Sequence, residues 1–219
     1  MAAELAPPSS AGSVSVLSVP PHLVPTRAAS THRHPTGALM PPVTLLRDAP
    51  ALGWLRARGI GVDSGPHFDL VGQEALLPGA RVRRLWHTPA TLQHPATSEH
   101  APGALVALVP LEGAFTIASG GDAAIVGRGR VAVLPGGAPV AITTGAPASR
   151  LELLVRPAGL DSALPSRLLV CSSAAVPVLS ATLNALLEAK IEPGDPARVG
   201  LSAALGGLLR AVLGEAVRG

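Results

Sequence analysis

Few side chains in this sequence are spaced to do chemistry. The stretch GRGRVAVLPGGAPVAITT, residues 127–144, has glycines and a proline at turn-like spacing but holds no His, Cys, Asp or Glu. Glu99 stands beside His100, yet neighbouring strand residues point to opposite faces, so the pair is not predicted to act as acid and base. His32 and His34 form an H-x-H pair with no further ligand nearby, which predicts adventitious metal affinity. We therefore expect neither a metal nor another cofactor.

The single cysteine and the missing motifs exclude several classes of protein. Cys171 rules out an intrachain disulfide and a cysteine-rich zinc site, and no charged neighbour in sequence would activate its thiol. The sequence holds no G-x-S-x-G elbow, no phosphate-binding loop and no C-x-x-C pair. These observations favour a protein of the reducing cytoplasm that is not an enzyme.

The charge balance argues against nucleic acid as a partner. Seventeen basic residues against fourteen acidic ones give a net charge of only +3, and aromatic residues make up 2% of the chain, too few for a base-stacking platform. The one basic cluster is Arg81, Arg83 and Arg84, which strand alternation divides between two faces, so we expect a solvated strand there. No run approaches eighteen uninterrupted apolar residues, so no membrane span is predicted.

Composition and periodicity divide the chain into three parts. Residues 1–42 are rich in Pro, Ser and Ala without periodicity, which predicts a disordered leader. Residues 43–157 begin with a short strand and a helical turn, and glycine-rich turns then separate six β-type runs: ALVALVP, GAFTIAS, DAAIVG, RVAVLP, PVAITT and RLELLV. This spacing predicts a mainly β fold, an antiparallel barrel or jelly roll, with α-helices after it.

Residues 158–219 predict two amphipathic helices joined by the turn EPGD. Ser172 or Ser173 can cap the first helix, and Asp195 with Pro196 can begin the second. Each helix carries an apolar stripe that needs a partner, either the barrel wall or the same hairpin of another subunit. We expect a homodimer whose seam contains Leu183, Leu187, Leu205, Leu209 and Val212.

The glycines of the opening stretch resemble the second motif of the cupin family. That motif is a glycine, five residues, P-x-G, two residues and a histidine, and Gly129, Pro135 and Gly137 match it. Val140 stands at the histidine position and Thr144 at the family's asparagine. The turn is therefore present and the ligand is missing, and the two glycines before Ala138 suit the positive φ angles of a tight turn.

The first cupin motif can be laid on Gly113, and it also departs from the family pattern. This alignment places Val106 at the glutamate position, with His100 and Pro102 at histidine positions. One candidate ligand of four remains, so the resemblance implies a cupin barrel without a metal.

The order of elements resembles the N-terminal sensing half of AraC-type transcription regulators over about residues 65–219. The resemblance implies a barrel that binds a small effector, and helices that mediate dimerisation. The chain ends at Gly219, where such regulators begin their DNA-binding half, so we expect a separated or truncated sensing domain that does not contact nucleic acid directly.

The expected effector pocket is apolar, because the positions of the missing ligands face the barrel interior. We predict that it binds a small apolar effector and is lined by Trp86, His100, Val106, Phe115, Val140 and Ile142. The alternative that these side chains only fill the core remains open. Two other functions also remain open: a metal-free isomerase or cyclase that uses His100 as its titratable group, and a scaffold that binds a protein through the helical hairpin.

Overall fold

The structure is a computed structural model that describes residues 44–95, 103–156, 165–189 and 191–216. The predicted leader, residues 1–42, and the candidate pocket residue His100 lie outside these ranges. The described residues all belong to one unit, Ala38–Gly219. They form fifteen elements: β1 Thr44–Arg47, α1 Asp48–Arg56, β2 Gly61–Ser64, β3 Asp69–Leu77, β4 Ala80–His87, β5 Ala90–His94, β6 Leu105–Glu112, β7 Phe115–Ser119, β8 Asp122–Val126, β9 Val131–Pro135, β10 Val140–Thr144, β11 Ala148–Val155, β12 Leu169–Cys171, α2 Ala175–Glu188 and α3 Ala197–Ala216.

The twelve described strands form two antiparallel sheets. The seven-stranded sheet has the order β1-β3-β4-β11-β6-β9-β12, and the five-stranded sheet has the order β2-β5-β10-β7-β8. The six β-type runs of the sequence correspond to β6–β11, and strands neighbouring in sequence are distributed between the sheets as in a jelly roll. The predicted fold class, a mainly β barrel followed by helices, is confirmed.

The turns at the two ends of β9 are the ones that the motif glycines predict. Gly129, between β8 and β9, has a φ of 77°, and Gly137, between β9 and β10, has a φ of 93°, values that side-chain-bearing residues rarely adopt. The backbone N–H of Gly136 donates to the carbonyl of Ala104 at 2.7 Å, which holds the β9–β10 turn beside the start of β6. The glycines are therefore needed for backbone geometry without any metal.

The central strands of the large sheet are buried on both faces, whereas β7 and β10 of the small sheet are buried on one. In β7, Phe115 and Ile117 are buried while Thr116 is exposed. In β11, all but one of the eight residues are buried, because one face lines the barrel interior and the other lies under helices. Leu151 and Leu153 face the helices, and Arg150 lies on the opposite face.

Helices α2 and α3 begin at the predicted caps and cover the outer face of the large sheet. The Ser173 Oγ accepts a hydrogen bond from the N–H of Ala175 at 3.0 Å, and the Asp195 carboxylate accepts one from the N–H of Ala197 at 2.8 Å. By length and composition alone α3 could cross a membrane, but its apolar stripe packs on the sheet instead.

The residues expected at a dimer seam lie inside one chain. Each is at most 1% exposed, and together they pack against Val82 and Leu153 of the large sheet: Leu183, Leu187, Leu205, Leu209 and Val212. The apolar stripe of the helical hairpin packs against the barrel of the same chain. These side chains are therefore buried and cannot contact a second copy. The seam predicted at these positions is corrected to an intrachain core.

Helix α1 covers one end of the barrel, and its Trp54 side chain packs directly on Gly72 of β3. Ala51 and Leu55 pack with Leu70 and Leu85 of the large sheet and with Leu92 of the small one. The Trp54 ring lies over Gly72, where an added Cβ would stand 2.8 Å from the ring carbons. The helix can approach β3 this closely because position 72 has no side chain.

Replacing Leu205 with Glu tests the corrected role of the helical stripe. A carboxylate forced into this fully buried site should lower the free energy of unfolding by about 4 kcal/mol or more, or about 10 °C in Tm. Thermal denaturation followed by circular dichroism measures this. Ala204→Glu, on the exposed face of the same helix, should leave Tm nearly unchanged. An unaltered Tm for Leu205→Glu with a halved mass in gel filtration would restore the dimer seam.

Candidate functional site

Four of the six predicted pocket residues meet in the barrel interior. Val106, Phe115, Val140 and Ile142 come from three strands on two sheets, and they form one apolar cluster with Leu108. Strand alternation explains why these side chains are in one cluster, because each residue lies at an inward position of its strand. This cluster fills the part of the interior near β7 and β10.

The positions of the two missing cupin ligands are both in this cluster, and their side chains cannot bind a metal. Val106 and Val140 offer only methyl groups where the family has carboxylate and imidazole. Among the described residues, no group of three or more His, Cys, Asp or Glu side chains is placed to hold an ion. The donor set therefore does not fit the metal that cupin proteins carry.

Trp86 lies on the opposite side of the large sheet from the predicted pocket. Along β4, Arg84 faces α2, where its Nη1 donates to the side chain of Asn184 at 3.1 Å, and Leu85 faces the interior. Alternation then returns Trp86 to the helix side, where it is 7% exposed. Its expected place in the pocket lining is therefore corrected, whereas His100 lies outside the described residues.

A buried charged cluster, absent from the sequence predictions, lies beside the apolar one. Arg150, Glu152 and His87 are at most 6% exposed. The Arg150 Nε donates to a Glu152 carboxylate oxygen at 2.9 Å, and its Nη1 lies 2.7 Å from His87 Nε2. The His87 Nδ1 lies 2.7 Å from the Thr88 carbonyl oxygen. Because a carbonyl only accepts and a guanidinium only donates, His87 is assigned as the neutral tautomer with its proton on Nδ1.

Burial and charge hold two of these groups far from their ordinary titration ranges. Burial, with the neighbouring charge of Arg150, lowers the pKa of His87 to about 4. Burial alone would raise the pKa of Glu152, but the charges of Arg150, His94 and Arg83 outweigh it and lower this pKa to about 2. At neutral pH the interior thus holds a neutral imidazole and an ionised carboxylate.

Arg83 extends the charged cluster toward β3 and the first helix. Its Nε donates to Glu74 at 2.7 Å, and its Nη1 lies 3.8 Å from Glu152. Glu74 also accepts from the Nε of Arg58 at 3.0 Å, and the Arg58 guanidinium stacks 3.6 Å from the centre of the Trp54 ring. The cluster therefore connects the covering helix to the middle of the large sheet.

The sequence contained part of the signal for this cluster. Alternation correctly divides RVRR between two faces, with Arg84 toward the helices and Arg83 toward the interior. The expectation that this strand is solvated is wrong, because Arg83 is 6% exposed. The two acidic partners of Arg83 are Glu74 and Glu152, which belong to other strands. The residues of each pair are not close neighbours in sequence, so local sequence patterns do not predict the pairing.

One cavity adjoins the charged cluster, and two larger ones share lining residues with it. A small one of about 20 Å³ is lined by Arg81, Arg83, His94, Val106, Glu152 and Leu154. A broad cleft of about 580 Å³ includes His94, Ser119 and Val140 in its lining and opens at one end of the small sheet. A third, of about 350 Å³, shares Arg81 and Leu154 with the small cavity. The two larger volumes are in the range of small-molecule sites.

Comparison with solved structures identifies the architecture. An AraC-like transcriptional activator, CuxR, superposes with a TM-score of 0.54 at 15% identity, over 78% of this chain and 69% of that one. The chain shares the fold of an AraC-like activator. The resemblance inferred from the sequence is thereby confirmed at the level of fold.

Two cupin structures superpose over smaller parts of the chain. The cupin domain of an XRE-family transcriptional regulator from Enterobacter cloacae gives a TM-score of 0.35 at 16% identity, over 40% of this chain and 97% of that one. A cupin-superfamily protein from Desulfitobacterium hafniense gives 0.34 at 10% identity, over 39% of this chain and 76% of that one. No protein-family model and no curated protein matches the sequence.

Acid should destabilise the protein through His87. Its pKa is about 4 when folded and 6.5 when unfolded, so the unfolded chain binds the extra proton first. The stability from the neutral imidazole is complete above pH 6.5, declines as the pH falls and is gone below about pH 4. His87→Gln should therefore reduce the loss in free energy of unfolding between pH 7 and pH 4.5 by about 2 kcal/mol in urea titrations.

The exposed His67 provides the matched control for this measurement. His67→Gln should keep the full pH dependence of the parent protein. If both variants keep it, the buried imidazole is not the group that titrates.

Proposed function

We propose that this chain is a non-enzymatic sensing domain of an AraC-type transcription regulator, and that a small effector binds in the barrel interior. The observation that supports the proposal most directly is the two-faced large sheet. On β11, Arg150 and Glu152 face the interior, while Leu151 and Leu153 pack under α2 and α3. A ligand that moves this strand would move the helices that rest on it.

Strand β4 provides a second connection between interior and helices. Arg83 ends in the charged cluster, and its neighbour Arg84 bonds to Gln73 at 2.8 Å and to Asn184 of α2 at 3.1 Å. Arg84 also lies 3.4 Å from Glu188 near the end of that helix. A bound effector acts only if it favours one arrangement of these contacts over another, and these polar bonds are the ones we expect to rearrange.

The protonation states of the interior favour binding over catalysis. A general acid or base works best with a pKa near the working pH, and those of Glu152 and His87 lie about 5 and 3 units below neutrality. Both groups are also held by Arg150, which leaves neither free to exchange a proton with a substrate. The proposal places the domain in the cytoplasm, in keeping with a single unpaired cysteine.

A binding screen with a blocked variant tests the sensing role. Small acids, aldehydes and aromatic compounds are added to the purified chain, and a ligand that prefers the folded state raises Tm. Val140→Trp, which fills the lining of the large cleft, should abolish the increase that the parent protein shows. Thr143→Trp, exposed on the same strand, should keep it.

A screen in which no compound raises Tm contradicts the sensing role. So does consumption of a binding compound with multiple turnovers, which would instead identify the barrel as a catalyst.

We also propose that the domain forms a homodimer through the solvent side of its helices, since the inner stripe is occupied. Val178 of α2 and Val199 of α3 are the large apolar side chains exposed on the described helices, at 53% and 64%. The double variant Val178→Glu/Val199→Glu should give half the parent mass in analytical ultracentrifugation and keep the circular dichroism spectrum of the folded parent, with Tm lowered only by the lost association. Ile125→Glu, equally exposed on β8, should keep the dimer. A parent protein that sediments as a monomer overturns this part.

A further inference from the structure

The charged cavity points to the chemical class of the effector. We propose that the barrel binds a small organic acid, whose carboxylate pairs with Arg83 and whose carbon skeleton lies in the cleft beyond His94. This inference rests on the proposed sensing function and narrows it from an apolar effector to an apolar acid.

Arg83 has hydrogen-bonding capacity that the described residues do not use. Its side chain is 7% exposed, and its Nη2 is buried without a hydrogen-bond partner there. A guanidinium nitrogen removed from water is costly to leave unbonded, because it loses the hydration that the unfolded chain provides. Arg83 lines the small cavity, so a ligand oxygen that reaches this nitrogen from the cavity would complete its bonding.

The carboxylates near Arg83 are shared with other cations. Glu74 receives Arg83, but also Arg58 at 3.0 Å and Arg81 at 3.6 Å. Glu152 lies 3.8 Å from Arg83 and closer, at 2.9 Å, to Arg150. The guanidinium groups of Arg58, Arg83 and Arg150 thus share two carboxylates. The excess positive charge of these guanidinium groups favours binding of an anion. A cation or a neutral ligand would not neutralise this excess charge.

The shape of the site indicates what accompanies the acid group. The small cavity, about 20 Å³, has room for about one water molecule or the tip of a carboxylate. Its walls include Val106 and Leu154, which give no polar contact. His94 lines both this cavity and the cleft of about 580 Å³, where it is the register partner of Val140. An acid that reaches Arg83 from the cleft would bury part of its carbon skeleton against Val140.

A matched ligand series tests this class without any mutation. Hexanoate, benzoate and phenylacetate are compared with the corresponding amides and alcohols by isothermal titration calorimetry on the intact chain at pH 7. The acids should bind, and each neutral counterpart should bind at least tenfold more weakly, because it cannot form the charge-assisted bond. Equal binding by the neutral compounds overturns the acid class while leaving the sensing function in place. Binding by none of them counts against both.

Two substitutions and an inorganic control assign the bond to Arg83. Arg83→Gln should weaken binding of the best acid at least tenfold and leave the weak neutral compounds unaffected, whereas Arg128→Gln, exposed in a turn, should change neither. Arg83→Lys keeps the charge and provides a second test if the Gln variant is unstable, with an intermediate loss expected. Unchanged acid affinity in a folded Arg83 variant overturns the assignment. So does equal binding by sulfate or acetate, which would indicate a general anion site with no use for a carbon skeleton.

Discussion

The ion pair between Arg150 and Glu152 constrains the interior of this protein more than any other contact. Both groups lie on the inward face of a central strand, and removing them from water is expensive unless each is fully paired. The folded state provides most of this pairing through β11 itself and through His87 of β4, at 2.7 Å from the guanidinium, and leaves the Arg150 Nη2 with an ion pair but no hydrogen bond among the described residues. A buried ion pair contributes little net stability. An arrangement of strands that separates the two partners is nevertheless strongly destabilised, because it leaves an unpaired charge in the core. The register of β4 on β11 is therefore strongly selected.

The same strands explain why an apolar helical hairpin and a charged interior occur in one small domain. Alternation gives β11 a hydrocarbon face for α2 and α3 and a polar face for the barrel, and β4 repeats the division with Val82 on one side and Arg83 on the other. When a strand shifts in a sheet that is covered on both faces, the side chains packed on each face must shift with it. A sheet with one solvated face transmits such a shift less well, because water on that face does not resist it.

Much of the architecture could be predicted because it depends on local patterns. The glycines at positions 129 and 137, the six β-type runs and the caps at Ser173 and Asp195 each specify structure within a few residues. The inward cluster of Val106, Phe115, Val140 and Ile142 also followed from alternation together with the cupin resemblance. The turns and strands of this chain are locally encoded.

The predictions that failed depended on contacts across the fold. One of the neighbours Trp86 and His87 is expected to face inward, and the structure turns His87 toward Arg150 of the interior and Trp86 to the side on which Arg84 bonds to α2. The leucines of the hairpin could have faced a partner or the barrel, and periodicity is the same in both cases. The buried charges were missed because Glu74, Arg83 and Glu152 are brought together by strand order, which separates them by up to 78 positions in sequence.

The close approach of Trp54 to Gly72 has a consequence for how such chains can diverge. An indole ring occupies the space that any side chain at position 72 would need, and the same ring supports the guanidinium of Arg58. The two sites are therefore coupled: a relative with alanine or a larger residue on the strand must have a smaller residue on the helix. In an alignment of relatives, a larger residue at position 72 would then occur together with a smaller residue at position 54. This covariation would identify the sequences in which the covering helix packs on β3 as it does here.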